Sequence, residues 1–399
     1  MTQINIINNF FQKIDQFGIN YAILHHIENI YSQNDDIDMI IDCSKNNFLN
    51  FLESWRKKNN CFLGKYYSID KDIFRFDIFY FEGNKLNKIE LDCVCGGIGK
   101  DLLEINSYEL LKNRIEVFIG KYKFYKVSDI DEIEYYIKKK AYKNADITTY
   151  MEYLQKLDST ITEEAIYEKY QSWKNYFKSR QYRVKYYVNK VQLLVKRISE
   201  QPILSICFLG PDGSGKSTII DEVEQSQLFI NNYYFHLKPI KIKSSSANNE
   251  MVENPHKYSS YSKLKSYIKL LYFIYQYNMG WLKNIVPMKI KSSLVIFDRY
   301  FDDLLVDNKR YRYGGNMIMV KLARIFIPKP ELYFILTTDA KVIYERKQEV
   351  PFEELERQIV AYSALADGNR YFQIDVNRSP EEISKEIVTI MMEKMNERY

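Results

Sequence analysis

The sequence predicts an α/β protein, with a five-stranded, doubly wound parallel sheet in its C-terminal half, a mixed α+β domain ahead of it and a helical connector between them. Three observations carry that prediction. A short apolar run, Ser205-Ile-Cys-Phe-Leu209, turns at Gly210-Pro-Asp-Gly-Ser-Gly215 and enters a helical pattern at Lys216-Ser217-Thr218. Five short apolar runs, at residues 203–209, 233–237, 294–297, 332–336 and 371–374, alternate with helical patterns, as strands covered on both faces do. Residues 129–200 hold no glycine and keep a Tyr-, Leu-, Lys- and Glu-rich helical pattern. The 399-residue length calls for two or three domains, and these patterns divide it at 1–127, 128–200 and 201–399.

In chain order, a helical pattern at residues 7–14 is followed by strand candidates at 21–24, 38–41, 73–81 and 88–94. Gly83-Asn84 between the last two predicts a hairpin. In the connector, Lys178, Arg180, Arg183, Lys185, Lys190, Lys196 and Arg197 occur with no acidic residue from 178 to 198. A helix packing one face on a neighbouring domain is the main reading of that stretch, and contact with an anionic membrane surface the lesser one. Further on, Ser244-Ser245-Ser246 reads as a loop. The aromatic stretch 267–281 has too few consecutive apolar residues to span a bilayer and reads as a buried helix.

Composition narrows the class. With 46% hydrophobic and 27% charged residues the chain is expected to fold rather than remain disordered. A net charge of +5 permits an anionic substrate without arguing for nucleic acid. The five cysteines, Cys43, Cys61, Cys93, Cys95 and Cys207, form no C-x-x-C pair, which argues against a disulfide framework and a zinc site. The N-terminus lacks a basic segment followed by an apolar core, so the expected location is the cytoplasm.

The spacing at Gly210 to Ser217, strand before and helix after, is that of a phosphate cradle. Gly210, Asp212, Gly213, Ser214, Gly215, Lys216, Ser217 and Thr218 are the candidate nucleotide-binding residues. The glycines let backbone N–H groups face a polyphosphate at a helix N-terminus. Lys216 would reach the β- and γ-phosphates, and Ser217 would ligand Mg²⁺. The strand at 294–297 runs into Asp298-Arg299-Tyr300. Asp298 is thereby expected at the sheet's C-terminal edge as a second Mg²⁺ ligand, and Arg299 where it can engage phosphate on the acceptor or stabilise charge on the moving phosphoryl group.

With these residues in view, residues 201–399 resemble the thymidylate kinase family of nucleoside monophosphate kinases. The resemblance rests on Gly210-Pro-Asp-Gly-Ser-Gly-Lys-Ser-Thr218, Asp298-Arg299-Tyr300, Tyr344-Glu-Arg346-Lys347-Gln-Glu349, the run from Glu353 to Tyr362, Ile374-Asp375 and Ser379-Pro-Glu-Glu. It implies a mobile lid around Arg346, with Arg346 and Lys347 placing positive charge over the ATP phosphates and closure excluding water. The chain departs from the family on the acceptor side. Where those kinases carry Arg-Glu-Pro, it has His236-Leu237-Lys238-Pro239, and Lys238 lacks the bidentate grip of Arg. After Tyr300, Asp303, Asp307, Arg310 and Arg312 are expected to line the acceptor side, with Asp303 the candidate base if the acceptor is a hydroxyl. The acceptor is therefore expected to differ from thymidine monophosphate.

Residues 1–127 carry Asp36-Ile-Asp38 at a strand start, where alternation places two carboxylates on one side to share Mg²⁺. Asp92 supplies a third carboxylate, with Asp77 as the alternative. This constellation resembles the nucleotidyltransferase fold of the polymerase β type, which implies three acids holding two metal ions and a nucleoside triphosphate. Where that fold carries a glycine pair, the chain has Leu24-His25-His26-Ile27-Glu28, so active and repurposed forms both stay open. His25 and His26 read as packing or loop residues.

The expected activity is an ATP- and Mg²⁺-dependent phosphotransferase acting on a small-molecule acceptor, a nucleotide or sugar derivative, with bifunctionality through the first domain open. The alternatives are a nucleotide-gated module without turnover and a nucleotidyltransferase with an accessory phosphate-loop domain. A homodimer is compatible with the sequence, and nucleic acid is not among the expected partners.

Overall fold

In the computed structural model the described residues are 2–32, 36–64, 67, 68, 73–95, 103–200, 204–226, 228, 229, 231–240, 259–289 and 293–397. Asn34, Asp35 and the expected loop at Ser244-Ser245-Ser246 lie outside them. The chain divides into two compact units, Met1–Glu200 with Lys394–Tyr399, and Gln201–Glu393. The helices expected as a separate connector are thus compact with the residues before them.

The first unit runs α1 (Gln3–Gln16), β1 (Tyr21–Ile23), β2 (Ile37–Ile41), α2 (Lys45–Asn59), β3 (Phe62–Leu63), β4 (Tyr67–Ser68), β5 (Ile73–Glu82), β6 (Lys85–Cys95), α3 (Ser107–Lys112), β7 (Ile115–Ile119), β8 (Tyr122–Lys126), α4 (Asp129–Lys143), α5 (Met151–Leu157), α6 (Glu163–Lys178) and α7 (Arg180–Glu200). Its mixed sheet is ordered β3-β5-β6-β2-β1-β8-β7, with β4 also on β5. The Gly83-Asn84 turn joins β5 to β6 as the sequence predicts, whereas the hairpin of β7 and β8 around Gly120 was not anticipated. Ile6, Phe10, Phe11 and Ile14 recur at helical spacing on α1 and bury against Phe51 and Trp55 of α2 over one sheet face. On the other face Ala22, Leu24, Ile40 and Val94 meet Leu110 of α3 and Tyr135 of α4. α4 begins where Ser128 Oγ accepts from the Asp131 N–H, and Asp129, Asp131 and Glu132 complement the positive end of its dipole. Its outer face packs Ile133 and Ile137 against Leu154, Ile166, Tyr170 and Phe177 of α5 and α6.

The second unit continues with β9 (Leu204–Leu209), α8 (Lys216–Gln225), β10 (Asn231–His236), α9 (Lys263–Gly280), α10 (Val286–Lys289), β11 (Ser293–Asp298), α11 (Asp303–Val306), α12 (Met317–Ala323), β12 (Leu332–Thr337), α13 (Ala340–Arg346), α14 (Phe352–Ser363), β13 (Tyr371–Asp375) and α15 (Pro380–Asn396), the last turn of which belongs to the first unit. The five strands are all parallel, in the order β10-β11-β9-β12-β13. β9 and β12 are buried along their whole length, which is why their sequences are apolar runs rather than alternations. With β9 central, every strand aims its C-terminal end at the loop preceding α8, the edge where such sheets place ligands.

The aromatic helix departs from expectation in part. α9 buries Leu270, Phe273 and Tyr277, yet Ile268, Leu271, Tyr272 and Tyr275 face solvent, so it is amphipathic rather than enclosed. Among the described residues no helix is long and apolar enough to cross a membrane.

Candidate functional site

The loop between β9 and α8 is held in a conformation that depends on glycine. Gly210 has φ +146°, and a Cβ there would lie 2.4 Å from the Leu336 carbonyl oxygen of the adjacent β12. Gly213, at φ +86°, leaves room for Lys347 Cβ, which would be 3.0 Å from a Cβ on the loop. α8 starts at Gly215 with no side-chain cap, so its first N–H groups face the loop. Lys216 Nζ turns into the loop and donates to the carbonyls of Gly210 at 3.0 Å and Pro211 at 2.8 Å. Burial, with some repulsion from Arg299, lowers its pKa to about 7. Ser214 is buried, while Ser217 and Thr218 are exposed on the first turn of α8.

Asp298 ends β11, and its Oδ2 accepts from Tyr234 Oη at 3.1 Å, with His236 Nδ1 3.5 Å away. Burial pulls its pKa upward, but the bond from His236 and the charges of Lys216 and Arg299 outweigh that and hold it low. Among the described residues its Oδ1 has no hydrogen-bond partner, although it is buried. An ionised acceptor in want of a partner and the exposed hydroxyl of Ser217 suit a magnesium ion at this sheet edge.

Arg299 follows at φ +66°, a left-handed conformation uncommon outside glycine, and its N–H donates to the Phe208 carbonyl at 2.9 Å. The buried guanidinium donates to Asp303 Oδ1 at 2.9 Å and to Gly210 O and Tyr362 Oη at 3.3 Å each, and it also pairs with Asp212. Asp303 has no exposed surface. It accepts from Tyr311 Oη at 2.7 Å and from Tyr362 Oη. Although burial works to raise its pKa, Arg299 and the two tyrosines keep it low. Asp303 is therefore neither an acceptor-lining residue nor a base in waiting, because both oxygens are committed and the carboxylate is stabilised in its ionised form.

Arg310 also departs from the expected acceptor-side role. It pairs with Asp212 on the phosphate loop and with Asp307 Oδ2 at 3.3 Å. Asp212 thus receives two arginines. Burial raises its pKa, but a shared hydrogen bond with Glu349 and those arginines bring it well below the usual range, and Glu349 is raised in turn. Lys347 Nζ lies 2.5 Å from Glu349 Oε1, so the segment after α13 meets the phosphate loop through Lys347 and Glu349. Arg346 lies outside this network, exposed at the end of α13 with Nη2 3.5 Å from Val376 O.

Lys238 sits beyond β10, with Nζ 2.8 Å from Gln276 Oε1 and 4.5 Å from the Phe273 ring centre. Lys269 was not anticipated from the sequence. It lies 5.5 Å from the same ring and donates to the Tyr311 carbonyl at 2.7 Å. Burial brings Lys238 down to about 8, and burial with the charges of Arg312 and Lys265 lowers Lys269. Arg312 stacks 4.3 Å from the Tyr261 ring and donates to Ser259 O at 3.0 Å. α9 fixes this edge: Tyr277 Oη donates to Leu237 O at 2.7 Å, and Gly280 packs so tightly that a Cβ would meet Pro239 O at 2.5 Å.

In the first unit, the parallel register of β2 and β6 sets Asp38 opposite Asp92, and β5 sets Arg75 opposite Asp92. Carboxylate oxygens of Asp36, Asp38 and Asp92 lie within 4.8 Å of one another. Cationic side chains already occupy the convergence. Arg75 donates to both Asp92 oxygens, at 2.5 and 2.7 Å, and to Asp36 at 2.8 Å. Asp38 is held by Lys139 and by His25 Nε2 at 2.5 Å, and these hold its pKa far down against burial. Burial and the neighbouring acids raise Asp92 despite Arg75. As they stand, these donors do not fit a divalent ion, and Asp77, across β5 from Glu90, is not in the cluster. His25 is a loop residue, as expected, and from that loop it also pairs with Asp38, a pairing that Lys139, 114 residues away, completes at 2.8 Å from His25 Nε2.

Comparison with known proteins bears on the second unit. The family model for thymidylate kinase matches residues 208–387. A probable thymidylate kinase of Methanosarcina barkeri (strain Fusaro / DSM 804) is 27% identical over 208 residues, spanning 47% of this chain and 95% of that protein. A crystal structure of thymidylate kinase from Ehrlichia chaffeensis aligns with 47% of this chain and 98% of its own at 20% identity, with a TM-score of 0.34.

Proposed function

We infer that residues 208–387, which carry a thymidylate kinase family domain, make this chain an ATP-dependent nucleotide kinase whose acceptor already bears a phosphate. The burial of Asp303 carries the second half of that reading. Transfer to a hydroxyl calls for a group to take its proton, and Asp303, the base candidate that the sequence offers, is fully bonded and held ionised. A phosphate oxygen is already ionised at neutral pH and needs no base.

ATP would lie with its β- and γ-phosphates against the loop at Gly210, Gly213 and Gly215 and the first turn of α8. Lys216 would exchange the carbonyls of Gly210 and Pro211 for phosphate oxygens, which stabilise its charged form. Ser217 and Asp298 would hold Mg²⁺, which offsets phosphate charge when bound. Asp303 and Asp212 fix the orientation of Arg299, so its charge faces the reacting centre without reorganising. Arg346 would add charge from outside as the segment around it closes. Lys238, Lys269 and Arg312 supply positive charge for the acceptor's phosphate, with Phe273 and Tyr261 as apolar walls.

The replacement of Arg-Glu-Pro by His236-Leu237-Lys238-Pro239 supports an acceptor other than thymidine monophosphate. The test is transfer of label from γ-labelled ATP to a panel of nucleoside monophosphates, sugar phosphates and their unphosphorylated counterparts. Label is expected only on phosphorylated acceptors. Transfer to an unphosphorylated hydroxyl overturns the acceptor class, and selective use of thymidine monophosphate overturns the departure from it.

A further inference from the structure

Helix α7 has two apolar sides. Toward its own unit, Tyr182 is buried among Tyr142, Tyr176 and Phe177, and Lys185 reaches Glu104 at 2.5 Å. At about 100° per residue, Val184, Tyr187, Val188, Val191, Leu194 and Val195 gather on the opposite side, and all six are exposed. Helices that merely join packed elements carry their apolar residues on the packed side. Here the second stripe is continuous over three turns, and the exposed Arg183 and Lys190 lie along one margin of it. No acidic residue occurs from 178 to 198.

We propose that this face of α7 docks on an anionic membrane surface, lying flat with the stripe in the interface and Arg183 and Lys190 among the headgroups. Charge selects this occupant. A second copy of α7 laid on the stripe would bring two sets of cations together with no acid between residues 178 and 198 to answer them. A nucleic acid would answer the cations but leave six apolar side chains without a partner. An anionic bilayer answers both, through headgroup phosphates at the margins and the acyl boundary beneath the stripe.

Flotation of the full chain with vesicles tests this, using mixed phosphatidylglycerol and phosphatidylcholine against phosphatidylcholine alone. The protein is expected to float with the mixed vesicles and stay behind with the neutral ones. Val188→Glu with Val191→Glu should reduce recruitment by about tenfold or more, and Arg183→Gln with Lys190→Gln should remove the preference for anionic lipid. These side chains are exposed, so the variants should melt and phosphorylate as the parent does. A Tyr187→Trp reporter should shift its emission to the blue when mixed vesicles are added. Failure of the parent to float with mixed vesicles overturns the proposal, as does recruitment unchanged by the stripe variants. So does a dimer in solution that Val188→Glu dissolves, since a second copy would then be the occupant.

Discussion

Arg299 donates to Asp303 Oδ1 at 2.9 Å, and both side chains are buried within the second unit. The pair fixes a guanidinium whose own backbone is in the left-handed region, so the aspartate holds an arginine that its sequence neighbours do not favour in that shape.

Asp303→Asn keeps size and an acceptor oxygen but leaves Arg299 with Asp212 as its remaining carboxylate. Breaking a buried pair this way should cost about 3 kcal/mol of stability, read as a lower urea midpoint at unchanged slope. Activity should fall with no loss of an ionisation from the pH profile of kcat. If stability is untouched and the acidic limb of that profile disappears, Asp303 is a base after all.

Lys216 should couple nucleotide binding to proton uptake. Its folded pKa, brought down to about 7 by burial, lies below that of an unfolded lysine, and phosphate oxygens restore it on binding. Near pH 8 the free site is mostly neutral, so binding should draw in close to one proton, and near pH 6 almost none. Calorimetry in buffers of different ionisation enthalpy reads this directly, and Lys216→Met should abolish it. The sign for folding is separate. Between about pH 7 and 10.4 the unfolded chain binds more protons at this group, so the cost of burying its charge is present below that window and relieved as pH rises through it. Lys216→Met should flatten that rise.

Gly280 packs beneath the edge proposed to hold the acceptor. A Cβ at this point would press on the Pro239 carbonyl at 2.5 Å, and Pro239 follows Lys238 directly. Gly280→Ala should raise the acceptor KM by about tenfold, a cost of about 1.4 kcal/mol, with the ATP KM unchanged. A purely structural role would move both constants, or neither, along with Tm.

In the second sheet β9, β11 and β12 were legible because each is an apolar run ending at a turn, and the phosphate loop because its glycines and lysine have fixed spacing. The edge hairpin of β7 and β8 was missed because its outer strand is short and largely exposed, with an apolar run of only three residues, Val117 to Ile119, before the turn at Gly120. The role of Asp303 was illegible for another reason. Tyr362, 59 residues on, closes it off, and nothing in a local pattern distinguishes a buried carboxylate from an exposed one. Likewise the Asp36, Asp38 and Asp92 cluster was foreseen, but not the Arg75, Lys139 and His25 that fill it, since strand register and helix packing bring these together.

That filling makes the last prediction. Arg75 projects from β5 opposite Asp92 and also reaches Asp36, so one guanidinium stands where a divalent ion would join the two carboxylates. Cations that share a space compete, and at effective dielectrics near 20 a unit charge about 4 Å away is worth about 4 kcal/mol; with Asp36 more than a third exposed, about 1 to 2 kcal/mol is the realistic part. The nucleotide-free parent should therefore bind Mn²⁺ weakly by paramagnetic resonance. Arg75→Ala should bind it about tenfold or more tightly, and Arg75→Lys, which keeps the charge, should resemble the parent. Tight Mn²⁺ binding by the parent, unchanged in Arg75→Ala but lost in Asp38→Asn, would mean that Arg75 swings aside for the ion, returning the three carboxylates to the metal-binding role their spacing first suggested.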